Sequence, residues 1–356
     1  KCPFAYFCRY GMRVTGPASS DLDAALTGTL IHYVLQVLML APGPRRIASL
    51  DEEKRYALCR KTVNDYVSEH FEGVDPTTGA MRYRLSNITV ILEKCLERII
   101  GEFAGSDFVV SDTELAIGKD IPPYKLGLPD GGEIVIRGSV DRVDTCPIGG
   151  RTYVRVVDYK TGKQDFSFAD VLAGLDLQML VYLICAVENG KDRYGDTVPA
   201  GVLYFNANAV PDPDLGRDPD EEQRKKSQKK KYVMKGFVLD DEELIRAMEH
   251  DGEGVYIPAR VTGGEVKGKT IDLMRLKKLH GYIDGLLTDM GQALHDGGIE
   301  DLPVDKPVGR GQTVCEFCDY RDVCMRMEQD SGFRIREYQT EKEALEKLGE
   351  GDEDGE

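Results

Sequence analysis

No apolar run in this 356-residue sequence is long enough to cross a bilayer, and no signal peptide stands at its start. A helical membrane protein and a secreted one are therefore not expected; the expectation is a soluble, cytoplasmic chain with no membrane partner. Tryptophan is absent, yet apolar residues make up an ordinary 41%. At this length that suffices for one large core or two smaller ones. An excess of positive charge is also missing. The net charge of −16 argues against a protein that coats nucleic acid. It leaves room for one that needs only a local basic path and some acids to hold a metal. A disulfide framework is lacking as well: nine cysteines are an odd number, and no secretion signal accompanies them. The first residue is Lys rather than Met, so a fragment or a processed chain is expected.

What is present centres on Glu133–Gly162, EIVIRGSVDRVDTCPIGGRTYVRVVDYKTG. Ile134–Asp144 is rich in β-formers and carries Asp141. Pro147-Ile148-Gly149-Gly150 has turn chemistry, and Tyr153–Lys160 is the return strand. Side chains alternate along a strand, so Asp158 and Lys160 share a face about 7 Å apart along the chain, while Tyr159 points away. Pairing across the turn can bring Asp141 to the same end. Two carboxylates and an ammonium suit a divalent cation such as Mg²⁺, which takes hard oxygen ligands plus water. The ammonium can steer an attacking water or stabilise charge on a phosphorane-like transition state. The same three letters, Asp-x-Lys, also make ordinary ion pairs at strand ends.

Gly138-Ser139-Val140-Asp141 followed by Asp158-x-Lys160 resembles the PD-(D/E)XK nuclease superfamily, with Val rather than Pro before the first acid. The resemblance implies an α/β fold, a restriction-endonuclease-like mixed sheet flanked by helices. It also gives meaning to two further motifs. Gly28 and His32 stand one turn apart on an expected helix running through Leu26, Leu30, Tyr33 and Val37. In the RecB-like branch a G-x-x-x-H helix brings its histidine to the metal, which would make His32 a ligand beside Asp141 and Asp158. Gln178 and Tyr182, an i,i+4 pair on an expected helix over Phe168–Glu188, match the Q-x-x-x-Y helix of that branch, whose side chains contact the site or the DNA backbone. Without the resemblance both would read as surface or core residues. Glu114, on an expected strand over Phe108–Ile117, is either an additional metal-site acid or a solvated strand residue. The other expected helices are Glu52–Phe71, Asn87–Ala104 and Leu273–His295, and Ala200–Asn206 is a further strand.

Cys315, Cys318 and Cys324 form C-x2-C-x5-C. Three close thiolates need a fourth ligand, and zinc and iron–sulfur both suit the letters; Cys2 and Cys8 are candidates for the fourth. One cysteine before a RecB-like core and three after it resemble the iron-staple nucleases, in particular the nuclease domains of AddB subunits of bacterial AddAB helicase–nucleases. Cys2–Gly11 and Met234–Leu239 add to that likeness. It implies a 4Fe–4S cluster held by Cys2, Cys315, Cys318 and Cys324, joining the two termini, and an AddA-like helicase–nuclease partner subunit. It further implies that a helicase-like portion lies outside this chain, and that single-stranded DNA ends are cut during double-strand-break repair and recombination. The expected divisions are 1–18 (staple segment), 19–210 (nuclease core with a helical insertion), 211–236 (exposed charged insertion), 237–312 (helical part), 313–328 (Cys-rich staple) and 340–356 (acidic disordered tail). Two other readings stay open, a CRISPR-associated exonuclease of the same core and a catalytically silent DNA-binding scaffold with structural zinc.

Overall fold

The computed structural model describes residues 2–15, 22–70, 78–162, 165–207, 231–304, 314–316, 318–324 and 338–340, with isolated positions at 220, 223, 227, 343, 344, 346 and 348. Most of the charged insertion, including Arg224, Lys225, Lys226, Lys229 and Lys230, lies outside them, as do residues 351–356.

A short helix α1 (Pro3–Tyr6) runs on into a π-turn over Phe7–Gly11. Helices α2 (Leu22–Leu40), α3 (Pro44–Ala48), α4 (Glu52–His70) and α5 (Gly79–Ala104) follow. Then come β1 (Val109–Ile117), β2 (Tyr124–Gly127), β3 (Glu133–Ile136), β4 (Gly138–Ile148) and β5 (Arg151–Lys160). Next are α6 (Phe168–Leu172), α7 (Gln178–Glu188), α8 (Lys191–Tyr194) and β6 (Thr197–Asn206). The rest comprises β7 (Lys235–Leu239), α9 (Glu242–Met248), β8 (Ala259–Thr262), β9 (Glu265–Gly268), β10 (Thr270–Ile271), α10 (Leu273–His295) and α11 (Arg321–Cys324). Asp241 and Asp272 start α9 and α10 by accepting the amides of Leu244 (3.0 Å) and Arg275 (2.8 Å), as N-caps do.

Six strands form one mixed sheet in the order β1-β4-β5-β6-β7-β10. The central hairpin β4–β5 is antiparallel with Arg142 opposite Val157, while β5 and β6 run parallel with Asp158 opposite Tyr204. The expected mixed α/β sheet with flanking helices is thus the fold found. Among the described residues, no helix is long and apolar enough to cross a membrane.

Alternation divides the hairpin's charges between two faces. Arg142, Asp144 and Arg155 turn toward α5 and are fully buried there with Glu102. Arg142 Nη2 donates to Glu102 Oε1 at 3.2 Å and lies 3.0 Å from Asp144 Oδ2; Arg155 Nε donates to Asp144 Oδ2 at 2.9 Å, and its Nη2 to Glu102. Burial works against the Glu102 charge, but Arg142 and Arg155 outweigh it and hold the carboxyl below the usual range. Two arginines and two acids make this set neutral, which is what lets it be buried. Asp141, Asp158 and Lys160 fall on the other face.

Two expectations need correcting. Ile134–Asp144 is not one strand: β3 ends at Ile136 and pairs with β2 in a separate ribbon, and Gly138 begins the main-sheet strand. Phe168–Glu188 is not one helix. Gly174 and Asp176 take φ of 76° and 50°, left-handed values that no continuous right-handed helix contains, so α7 starts afresh at Gln178. The 340–356 segment is described only at 340, 343, 344, 346 and 348. Thr340 and Glu343 form a reciprocal capping box, and Ala344 and Leu348 are buried in the core.

Candidate active site

The Asp158–Lys160 pair stands at the C-terminal end of β5, where the sheet opens to solvent. Asp158 is nearly buried and Lys160 is one-third exposed; Nζ donates to Oδ1 at 3.1 Å and lies 2.8 Å from Oδ2. The ammonium also sits 5.9 Å from the Tyr204 ring centroid. Asp141 joins from β4, as the hairpin register requires. Its Oδ2 accepts the backbone N–H of Tyr159 at 2.9 Å. The carboxylate is thereby spliced into the hairpin.

His32 arrives from α2. Its Nδ1 lies 3.2 Å from Asp141 Oδ2 and its Nε2 lies 2.7 Å from the carbonyl oxygen of Tyr159. Both partners accept, so both ring nitrogens donate, which is the pattern of an imidazolium. Burial lowers the basicity of the ring, but the hydrogen bond and charge of Asp141 and the Tyr159 carbonyl prevail and hold it above the ordinary 6.5. Gly28, one turn away, faces the Thr161 hydroxyl, where an added Cβ would stand at 3.7 Å. An alanine would fit there.

Gln178 Nε2 donates to Tyr182 Oη at 2.9 Å. The Tyr182 ring lies against Gly138, where a Cβ would come within 2.5 Å of Oη. The glycine of GSVD is therefore a packing requirement of the tyrosine, and the pair braces the start of β4.

Glu114 also reaches the site, through a register that sets Thr113 opposite Arg142 and Leu115 opposite Val140. His32, Glu114 and Asp141 present ligand atoms within 4.8 Å of one another. Sequence reasoning named Glu114 without deciding its place. It missed Ser139, whose hydroxyl donates to Glu114 Oε2 at 2.7 Å, although Ser139 sits inside the GSVD motif.

The donor set suits a hard divalent cation: carboxylates, a carbonyl and an imidazole at the mouth of a sheet. The charge distribution points the same way. Burial pushes the Asp158 carboxyl above its ordinary 3.8, and the neighbouring Asp141 charge adds to this, with Lys160 opposing. A carboxyl raised by folding costs stability when ionised. The cost is full above its folded pKa and vanishes as pH falls through that value toward 3.8. Asp158→Asn is therefore expected to raise the melting temperature of the metal-free protein at neutral pH. The gain should shrink on acidification, and calorimetry from about pH 4 to about pH 8 checks it.

The N-terminal segment meets the chain again near Glu300 and Tyr320. Phe4 N donates to the Glu300 carbonyl at 3.1 Å, and Tyr320 Oη to the Val14 carbonyl at 3.2 Å. Cys2, Cys315, Cys318 and Cys324 are all half-buried, whereas Cys8 is fully buried. Among the described residues, no three cysteine sulfurs lie within 4.8 Å of one another. Cys59 and Cys95 are core thiols, each pushed up to about 12 by burial.

Comparison with known proteins accords with this geometry. Over 338 residues the chain is 31% identical to the B subunit of the ATP-dependent helicase/deoxyribonuclease of Thermoanaerobacter sp. (strain X514), covering 91% of this chain and 28% of that protein. It is 32% identical over 338 residues to the protein of the same name from Clostridium tetani (strain Massachusetts / E88), covering 91% and 29%. With that from Exiguobacterium sibiricum it shares 30% over 363 residues, 98% of this chain and 31% of the relative. The chain thus spans under a third of the length of these relatives. A family description, the PD-(D/E)XK nuclease superfamily, matches residues 1–325, nearly the whole chain and every site residue described above. The chain belongs to the PD-(D/E)XK nuclease superfamily.

Proposed function

We propose that this chain is a Mg²⁺-dependent deoxyribonuclease domain that hydrolyses phosphodiester bonds at single-stranded DNA ends. Its setting is a helicase–nuclease complex with an AddA-like partner, acting in double-strand-break repair and recombination. The observation that carries the reading is the convergence of Asp141, Asp158, Lys160 and His32 at one end of the central hairpin. The names of the relatives support the deoxyribonuclease and helicase setting.

Asp141 and Asp158 would hold the cation, with His32 as a further ligand once its ring has lost a proton. When bound, the cation supplies a Lewis acid and lowers the pKa of its water. Lys160, tethered to Asp158 but one-third exposed, can swing its ammonium toward the scissile phosphate. There it orients the attacking water and offsets negative charge growing on phosphorus oxygens. Gln178 and Tyr182 are positioning residues: their mutual bond and the packing on Gly138 fix the strand that presents Asp141. The exposed side of Gln178 would guide the DNA backbone.

The test is digestion of end-labelled single-stranded DNA by the full chain with Mg²⁺ or EDTA, alone and with an AddA-like protein. Shortening from labelled ends with Mg²⁺ alone, abolished by EDTA, supports the reading. Intact DNA in every Mg²⁺ reaction, partner included, would overturn it.

We also infer a structural 4Fe–4S cluster on Cys2, Cys315, Cys318 and Cys324. The approach of the N-terminal segment to Glu300 and to Tyr320, which lies between Cys318 and Cys324, supports this. A cluster there would close a loop of roughly 300 residues, which stabilises a fold by restricting the unfolded chain. Cys318→Ser in anaerobically purified protein is expected to lose iron and melt at a lower temperature. Unchanged iron content and melting would rule the cluster out.

A further inference from the structure

We propose that the groove between α4 and α5 is a second contact for single-stranded DNA, one that grips the strand outside the catalytic end of the sheet. This rests on the nuclease reading above and adds to it a surface that neither the acid–lysine hairpin nor the cysteines supply.

The first ground is composition. Tyr56, Arg60, Asn64 and Ser68 recur at i,i+4 spacing on α4 and so form one stripe of that helix. Arg82, Ser86 and Thr89 of α5 line the other side. The groove between them has a volume of about 630 Å³, within the roughly 300–1,000 Å³ of clefts that hold small ligands. Its floor is apolar, with Val67 and Leu85 buried, while Arg60, Asn64, Ser68, Arg82 and Ser86 are exposed. Among the described residues no carboxylate lines it, in a chain whose net charge is −16. Glu93, one turn beyond Thr89 on α5, lies instead 3.5 Å from Arg55 Nε.

The second ground is what the lining can bind. The guanidinium groups of Arg60 and Arg82 have no ion-pair partner among the described residues. Guanidinium binds phosphate through its fork of N–H donors. Asn64, Ser68 and Ser86 add groups of the kind that hold sugar and phosphate oxygens. The Tyr56 ring and the apolar floor offer a face on which a base can lie. Cationic edge and apolar floor together match a nucleotide chain better than a lone anion. A duplex keeps its bases paired, so a single strand is the form that can use both.

The third is place. His32 and Tyr33 are consecutive on α2. The Tyr33 ring packs against Tyr66, with centroids 4.5 Å apart, and edge-on to His70 at 6.1 Å. Tyr66 and His70 flank Val67 and Ser68 of the groove. The groove therefore begins one layer of side chains from the histidine at the catalytic end, and a strand held in it is led along α4 and α5.

Binding of a labelled oligothymidine to the full chain is measured by fluorescence anisotropy over a range of salt, in EDTA to keep the strand uncut. Wild type is compared with the double variants Arg60→Gln/Arg82→Gln and Arg60→Lys/Arg82→Lys, and melting establishes that each is folded. The glutamine pair is expected to raise Kd about 10-fold at low salt and to flatten the salt slope by about 1.4, two phosphate contacts at about 0.7 each. The lysine pair should keep the wild-type slope, because charge sets it. Wild-type protein is also treated with phenylglyoxal, which modifies accessible arginines, and the modified sites are mapped by mass spectrometry. Arg60 and Arg82 should be protected by the oligothymidine and not by inorganic phosphate at equal phosphate concentration. This labelling serves as the test should the glutamine pair fail to fold. An unchanged Kd and slope in the glutamine pair would overturn the proposal. So would no binding by wild type, equal labelling with and without the strand, or equal protection by phosphate. If the chain never cleaves DNA while both arginines are protected, the nuclease reading falls and the groove remains a DNA contact. If it cleaves with neither protected, only the groove falls.

Discussion

Lys160→Ala is expected to lower DNA cleavage by about 10²–10³-fold, the loss typical of removing one preorganised charge at a transition state, while the protein stays folded and still binds divalent metal. The side chain is one-third exposed and its partner is a single carboxylate, so truncation leaves no cavity in the core. It also frees Asp158 from its internal cation. Metal affinity should therefore hold or tighten even as the rate falls. That split is diagnostic. Parallel loss of binding and rate would assign Lys160 to building the metal site; a fully active variant would remove it from the chemistry.

Glu102→Gln is expected to have the largest effect on stability, about 3–5 kcal/mol, the cost of leaving buried charge without its partner. Glu102 is 2% exposed and bridges Arg142 and Arg155, both fully buried. The glutamine has the same shape, so packing is preserved and only the charge balance changes. Asp144 would then be the one carboxylate left to both guanidinium groups in this network. Urea unfolding checks it: the midpoint should fall while the slope holds. Because these arginines alternate with the site acids along β4 and β5, partial loss of register would also disturb Asp141. An unchanged midpoint would mean that the network is not a balance of charges.

The hairpin was legible in the sequence because its chemistry repeats every two residues. Asp158 and Lys160 had to share a face, and the turn letters put Asp141 beside them. His32 was legible only through the family likeness, since nothing in a helix sequence says which strand it will face 127 residues later. Glu114 stayed ambiguous for the same reason: its partner Ser139 lies 25 residues away, and its left-handed backbone has no signature in its own letter. The letters Asp141-Arg142-Val143-Asp144 carried a second message that sequence reasoning missed. Charges at every other position of an otherwise apolar strand imply a buried, compensated network on the face opposite the site. The helix over Phe168–Glu188 was overextended because apolar periodicity on both sides of Gly174 masked the break.

The splice between the Asp141 side chain and the Tyr159 amide bears on the order in which the site assembles. Asp141, Asp158 and Lys160 belong to one hairpin, an element whose closure is local and takes about 1–10 μs in isolation. His32 must be brought in across more than a hundred residues, at the entropic expense of closing a long loop. During refolding, the acid–lysine group is therefore expected to form as a unit before its histidine docks. An early species would bear the carboxylates without the imidazolium that balances them. Such a species would carry unshielded negative charge at one end of the sheet, and divalent ions present at that moment would speed the remaining steps.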